Sequence, residues 1–119
     1  VSLHIRTLPG CVVVTLPPEV DLANIGQVTL CARDQLWDRL AELRAVVFDL
    51  TRTSFIGSEA GGLITETWHR GRQAGVPVCV AAPSPLHRRI LQVLGLDRTA
   101  LFRDMQQAVS GLHPMDNVG

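Results

Sequence analysis

The residues best placed to do chemistry in this chain lie between Ala45 and Ala74. AVVFDLT reads as a buried strand, RTSFIGSEAGG as a short polar turn, and LITETWHRGRQA as a helix. Ser58 then falls at a helix start just outside the carboxyl end of a strand, the crevice in which open α/β sheets carry their working residues. Backbone N–H groups at a helix start favour negative charge. A hydroxyl there suits a residue that gains or holds a phosphate.

Other chemistries fit less well. A nucleophile elbow needs glycine two residues before the serine, and that position is Ile56. A triad also needs a base. His4 falls on an expected edge strand, His69 and His87 on expected outer helix faces, and His113 in the tail, so no histidine sits at a strand's carboxyl end. Gly57, Gly61 and Gly62 loosen the turn, but no G-x-x-x-x-G-K-[ST] or G-x-G-x-x-G run exists and lysine is absent. No His, Cys, Asp or Glu group has ligand spacing. The expectation is a protein without catalytic residues, metal or cofactor, and not an enzyme. Glu59 reads as a first-turn acid favoured by the helix dipole, and Ser58 also suits a plain N-cap. Gly61-Gly62 cost ~1 kcal/mol each inside a helix relative to alanine, so sheet or partner must approach the backbone there. Arg70, Arg72, Arg88 and Arg89, with His69 and His87, read as a solvated basic surface.

The elements that position these residues follow from periodicity. Ser2 to Thr7 and Cys11 to Leu16 are strand-like and joined by Pro9-Gly10, too short a link for anything but an antiparallel hairpin. After Pro17-Pro18-Glu19-Val20-Asp21 a helix begins, capped by Asp21 or Asn24, with Ile25, Val28, Ala32, Leu36 and Leu40 as its inward stripe. Ala45 to Leu50 is apolar throughout, as in a strand covered on both faces. In the next helix Ala60, Leu63, Ile64, Thr67, Trp68 and Gly71 point inward, Glu66, Arg70 and Arg72 outward, and Gly75 stops it. Pro77 to Ala82 is a further buried strand. Ser84-Pro85 opens a helix carrying Leu86, Ile90, Leu91 and Leu94. Leu101-Phe102 is a short edge strand, and Asp104 caps the last helix. The sum is an α/β fold: a four- to five-stranded, mostly parallel sheet with an antiparallel N-terminal edge strand and helices packed on it.

The 119 residues fit one domain, expected over 1–112 with a frayed tail over 113–119. At 46% hydrophobic and 18% charged the chain is globular, and eleven basic residues cancel eleven acidic ones. Nothing in that balance suggests a broad nucleic-acid or membrane surface. No apolar run approaches the ~20 residues of a membrane span, and VSLHIRTLPG lacks a signal peptide's apolar core, so a soluble, cytoplasmic protein is expected. Cys11 and Cys79 sit in valine-rich strands, where a free cysteine acts as a small hydrophobe, whereas Cys31 falls near the edge of a helix face.

Taken together these segments resemble the STAS domain, and within it the bacterial anti-sigma factor antagonists. The resemblance covers nearly the whole chain. Pro18-Glu19-Val20-Asp21 is similar to the family's Gly-Glu-Leu-Asp, VVFDLT to its strand ending in Asp-Leu-Ser/Thr, and SPLHRRILQVLGLD to its late helix. Phe55 to Gly62 matches in part the loop Phe-Met-Asp-Ser-Ser-Gly-Leu-Gly. The resemblance implies a protein that binds an anti-sigma factor, itself a serine kinase of the GHKL type, and so releases a sigma factor. Phosphorylation of the loop serine ends the complex, and a phosphatase of the PP2C type resets it. By position Ser58 is the phosphoacceptor, and Asp21, Asn24, Gly57, Ser58, Glu59, Gly61 and Gly62 form the partner-binding surface. This chain departs from the pattern at Gly57, Glu59 and Ala60, so that a carboxylate is lost before the serine and gained after it. A ligand-sensing STAS module for a nucleotide or lipid, in a signalling or transport complex, is the alternative. Exposed apolar residues around Ser58 would favour the first reading, a deep pocket the second.

Overall fold

The computed structural model describes residues 2–112, so the tail expected over 113–119 lies outside the described residues. Strands β1 (His4–Leu8), β2 (Cys11–Thr15), β3 (Val46–Asp49), β4 (Val78–Ala81) and β5 (Leu101–Phe102) form one sheet in that order. The pair β1–β2 is antiparallel and every other neighbour is parallel, as the hairpin and crossover arguments require. Helices α1 (Ile25–Gln35), α2 (Ser58–Ala74), α3 (Pro85–Val93) and α4 (Met105–Gly111) cover it.

Alternation along the strands divides the core. Val12, Val14, Val46, Phe48, Val78 and Val80 face one way, onto Val28, Ala32, Leu63, Ile64 and Leu91 of the first three helices. Cys11, Val13, Ala45, Val47, Cys79 and Ala81 face the other way, onto Ala108 with Met105 and Val109 of α4. Burial on both faces explains the continuous apolar runs. It also pushes the Cys79 thiol up to about 12 from 9.0, with the nearby Cys11 as a second cause, and raises Cys11 through its own burial. Both cysteines are therefore core hydrophobes, as expected.

Several local expectations change. The first helical stripe is not one helix: α1 closes at Gln35, Leu36 leaves helical geometry at φ −131°, ψ −62°, and a 3-10 helix runs over Trp37–Glu42. That break keeps Leu36 and Leu40 buried and lets Trp37 Nε1 donate to Thr67 Oγ1 at 2.8 Å. Asn24 caps α1 by position only, because its side chain makes no cap bond. Helix α2 ends as foreseen, at Gly75 with φ 73°, the left-handed conformation that costs glycine little. Ser84 accepts from the His87 N–H, and Asp104 from the Gln107 N–H, so both are working caps.

Candidate functional site

Three parallel strands deliver their carboxyl ends to one side of the sheet. The segments that follow them are Leu16–Asn24 after β2, Leu50–Gly57 after β3, and Ala82–Ser84 after β4. Ser58 is the first residue of α2, with Gly57 as N-cap. It is thus one place inside the cap that the sequence pattern offered it. Gly57 has no side chain to offer the first-turn amides, and the first intrahelical bond is Gly61 N–H to Gly57 C=O at 3.0 Å. The Ser58 hydroxyl is exposed and donates to Glu59 Oε2 at 2.8 Å. An acid one residue after the serine therefore acts on the hydroxyl itself.

Asp21 and Asn24 hold the loop after β2 by reciprocal bonds. Asp21 Oδ1 accepts from the Ala23 and Asn24 N–H groups at 2.9 and 3.0 Å, and Asn24 Oδ1 accepts from the Asp21 N–H at 2.9 Å. Asn24 Nδ2 adds a bond to the Glu19 carbonyl at 2.7 Å. Much of the polar capacity of this pair goes into loop shape. The loop forms one wall of a cleft of about 490 Å³, with Ser54, Phe55, Ile56 and Gly57 on the other. Glu19 and Asp21 supply all of the cleft's formal charge; the rest of its lining is apolar or neutral.

Two grooves meet at Ser58. On the α1 side a groove of about 440 Å³ includes Ser58, Glu59, Gly62, Glu66, Arg33, Trp37 and Arg70. Arg70, expected to face outward, stacks on the Trp37 ring at 4.2 Å and pairs with Glu66 at 3.1 Å. On the α3 side a groove of about 360 Å³ is walled by Ile56, Leu86, Ile90, Val93 and Leu94, with Ser58 and Arg89 as its polar members. Leu86 and Val93 are 64% and 79% exposed, and Phe55 beside the first cleft is 77% exposed. Ser58 is thus flanked by uncovered apolar side chains.

The site brings Gly57 and Asp21 to one cleft, and Ser58, Glu59 and Gly62 to one groove. Gly61 is turned away from them. A β-carbon there would lie 2.3 Å from Leu94 Cδ1, so what approaches Gly61 is the end of α3, where the sequence offered sheet or partner. Gly62 faces open space. Two features of α3 escaped the sequence. Leu86 points to solvent although it was placed in the inward stripe, and His87 is buried although it was placed outside. His87 and Leu91, four apart, lie on one edge, but Leu86 and Ile90 form an equally good one, so spacing alone does not choose between them. Arg88 is not simply solvated either, since its guanidinium donates to the Ala82 and Pro83 carbonyls at 2.6 and 2.9 Å. Among the described residues no group of His, Cys, Asp and Glu side chains is arranged to hold a metal ion, and no helix is long and apolar enough to cross a membrane.

Comparison with known proteins agrees with this fold. The family model described as STAS domain matches residues 2–108. No match was found among curated proteins. An anti-sigma factor antagonist of Mycobacterium paratuberculosis superposes with a TM-score of 0.68 at 23% identity, covering 93% of this chain and 92% of that one. The Bacillus cell fate determinant SpoIIAA in its phosphorylated form gives 0.66 at 18% identity, over 99% and 100% of the two chains. The murine Solute Carrier 26 family member A9 anion transporter gives 0.70 at 14% identity, over 88% of this chain but 18% of the transporter. Likeness at these identities carries the fold.

Proposed function

From the premise that the chain belongs to the STAS domain family, we propose that it is an anti-sigma factor antagonist switched by phosphorylation of Ser58. Residues 1–112 act as one cytoplasmic binding module, with no catalytic role and no direct contact with nucleic acid or membrane. The partner is an anti-sigma factor that is also a serine kinase of the GHKL type, and a phosphatase of the PP2C type reverses the modification. The partner surface is Asp21, Asn24, Gly57, Ser58, Glu59 and Gly62. Gly61 supports it indirectly, by letting Leu94, which caps the end of α3, close against α2.

The observation that carries this reading is exposed apolar surface beside Ser58: Leu86 and Val93 wall the groove that Ser58 lines, and Phe55 stands exposed in the neighbouring cleft at Gly57. Uncovered apolar surface around a hydroxyl suits a protein interface. A phosphoserine brings roughly −1.5 to −2 charges, which a packed interface built around a neutral hydroxyl does not accommodate. The test is incubation with the anti-sigma kinases of the source organism followed by intact mass and site mapping. Ser58→Ala should bind the partner and resist modification; Ser58→Glu should fold normally and bind poorly. Labelling at another residue, or a Ser58→Glu variant that binds like the wild type, would reduce Ser58 to a helix-start residue.

A ligand-sensing module is favoured by one observation, the cleft of about 490 Å³ beside Asp21, which lies in the size range of small-molecule sites. Its lining holds carboxylates and no cation. Phosphate-bearing nucleotides or lipid headgroups would therefore meet like charge there. A thermal-shift and calorimetric screen of nucleotides and anionic headgroups separates the readings, since saturable binding in the cleft would favour the sensor.

A further inference from the structure

We infer that Arg89 is the residue that holds a phosphate carried on Ser58, and that Glu59 directs the phosphate towards it. The inference rests on the proposal that Ser58 is the phosphoacceptor. In the unmodified chain the Ser58 hydroxyl donates to Glu59 Oε2 at 2.8 Å. Phosphorylation replaces the O–H bond with an O–P bond: the bond between the γ-phosphorus of a nucleoside triphosphate and its bridging oxygen breaks, the nucleoside diphosphate departs with that oxygen, and the hydroxyl proton leaves to solvent. The ester has no proton to donate and is itself anionic, so the contact with Glu59 turns from attraction to repulsion. The side chain relieves it by rotating about its staggered torsions, and two grooves border it, one on each side.

These grooves differ in charge. On the α1 side Arg33 and Arg70 are offset by Glu59 and Glu66, and Arg70 is already committed to Glu66 at 3.1 Å and to the Trp37 ring. On the α3 side Arg89 is the single charged residue in the lining. Among the described residues Arg89 takes part in no ion pair, and it is exposed, whereas neighbouring Arg88 is spent on backbone carbonyls. A guanidinium fork matches phosphate oxygens in geometry as well as charge. The resulting pair lies across the groove walled by Leu86, Ile90 and Val93. Phosphorylation then covers the apolar surface beside Ser58 with a hydrated ion pair in addition to charging the contact point.

The experiment uses the full chain with phosphoserine placed at position 58 by genetic encoding, titrated by phosphorus NMR. An exposed phosphoserine has a second pKa near ~6, and pairing with Arg89 holds it lower. Arg89→Gln should raise that midpoint by about half a unit, Arg89→Lys should recover part of the difference, and Glu59→Gln should lower it. Arg33→Gln should move it less than Arg89→Gln. In the otherwise wild-type phosphorylated chain the Arg89 side-chain N–H resonance should shift relative to the unmodified protein, a readout that depends on no substitution. An unchanged midpoint in Arg89→Gln, or a larger effect from Arg33→Gln, overturns the inference. No kinase enters the measurement. A kinase that ignores Ser58 defeats the proposed function alone, and an unmoved midpoint defeats the Arg89 assignment alone.

Discussion

Replacing Gly62 separates the packing of α2 from its use. A β-carbon at Gly62 meets nothing within 4 Å, and the residue is exposed in the second turn of a 17-residue helix. Gly62→Ala therefore gains helix propensity without a steric cost, about 0.8 kcal/mol. For a chain of this size that corresponds to a rise of about 3 °C in Tm. Tryptophan recovers only part of the propensity, about 0.4 kcal/mol, so Gly62→Trp should unfold close to the wild-type temperature. Its indole would occupy the groove that Gly62 shares with Ser58, Glu59 and Trp37. If the anti-sigma partner uses that groove, affinity should fall by about 100-fold or more, in line with loss of a central contact of ~3 kcal/mol. Thermal unfolding by circular dichroism and titration calorimetry with the partner give both quantities. A lower Tm in Gly62→Ala refutes the open site. Unfolding of Gly62→Trp assigns the glycine to packing, and undiminished binding removes the groove from the interface.

Gly71→Ala should do the opposite of Gly62→Ala. Its β-carbon would come within 2.6 Å of the Val76 backbone oxygen and 2.5 Å of Val78 Cγ2, a clash that costs about 2 kcal/mol and is read as a lower denaturation midpoint. Asp104→Ala removes the cap bond to the Gln107 N–H, 2.8 Å long, and should cost about 1 kcal/mol in the same assay. Burial holds the Cys79 thiol at about 12 against 9.0, so the folded state retains a proton that the unfolded state releases. That contribution is whole below pH 9.0 and is lost as pH rises through about 12. Urea midpoints measured across this alkaline range should fall more steeply for the wild type than for Cys79→Ala.

The sheet was legible because its signals are local and redundant. Pro9-Gly10 leaves no route but a hairpin, and the unbroken apolar runs of β3 and β4 demand cover on both faces, which α2 and α4 supply from opposite sides. The position of Ser58 was legible for the same reason, since Gly57 and the helical stripe that follows bracket it within one residue. What escaped the sequence depends on how helices lean on one another. Leu86, Ile90, Leu91 and Leu94 form one stripe on paper, and so do His87 and Leu91. Which edge enters the core is settled by the contact of α3 with α2, where Gly61 admits Leu94. Periodicity assigns a face to a helix but not the rotation at which a neighbour accepts it. The same limit hid the groove at Arg89.

The acid beside the serine gives the site its logic. In the pattern this loop resembles, the carboxylate precedes the serine, at the place held here by Gly57, where a side chain can accept from first-turn amides. Here that place is bare, and Glu59 takes the serine hydroxyl at 2.8 Å. Before modification the carboxylate orients Oγ by accepting its proton, so the hydroxyl stands in a defined rotamer next to exposed Leu86 and Val93. Under the phosphorylation proposed for Ser58, the same carboxylate would become a like charge beside the phosphate and would drive the side chain out of that rotamer. On that proposal one residue would hold the neutral form in one rotamer and the phosphorylated form in another. A carboxylate at the cap would instead be held by the helix amides and would leave the hydroxyl without this partner. On the proposed switch, displacement of the acid from before the serine to after it would couple the charge state of Ser58 to its direction and make the groove towards α3 part of the mechanism.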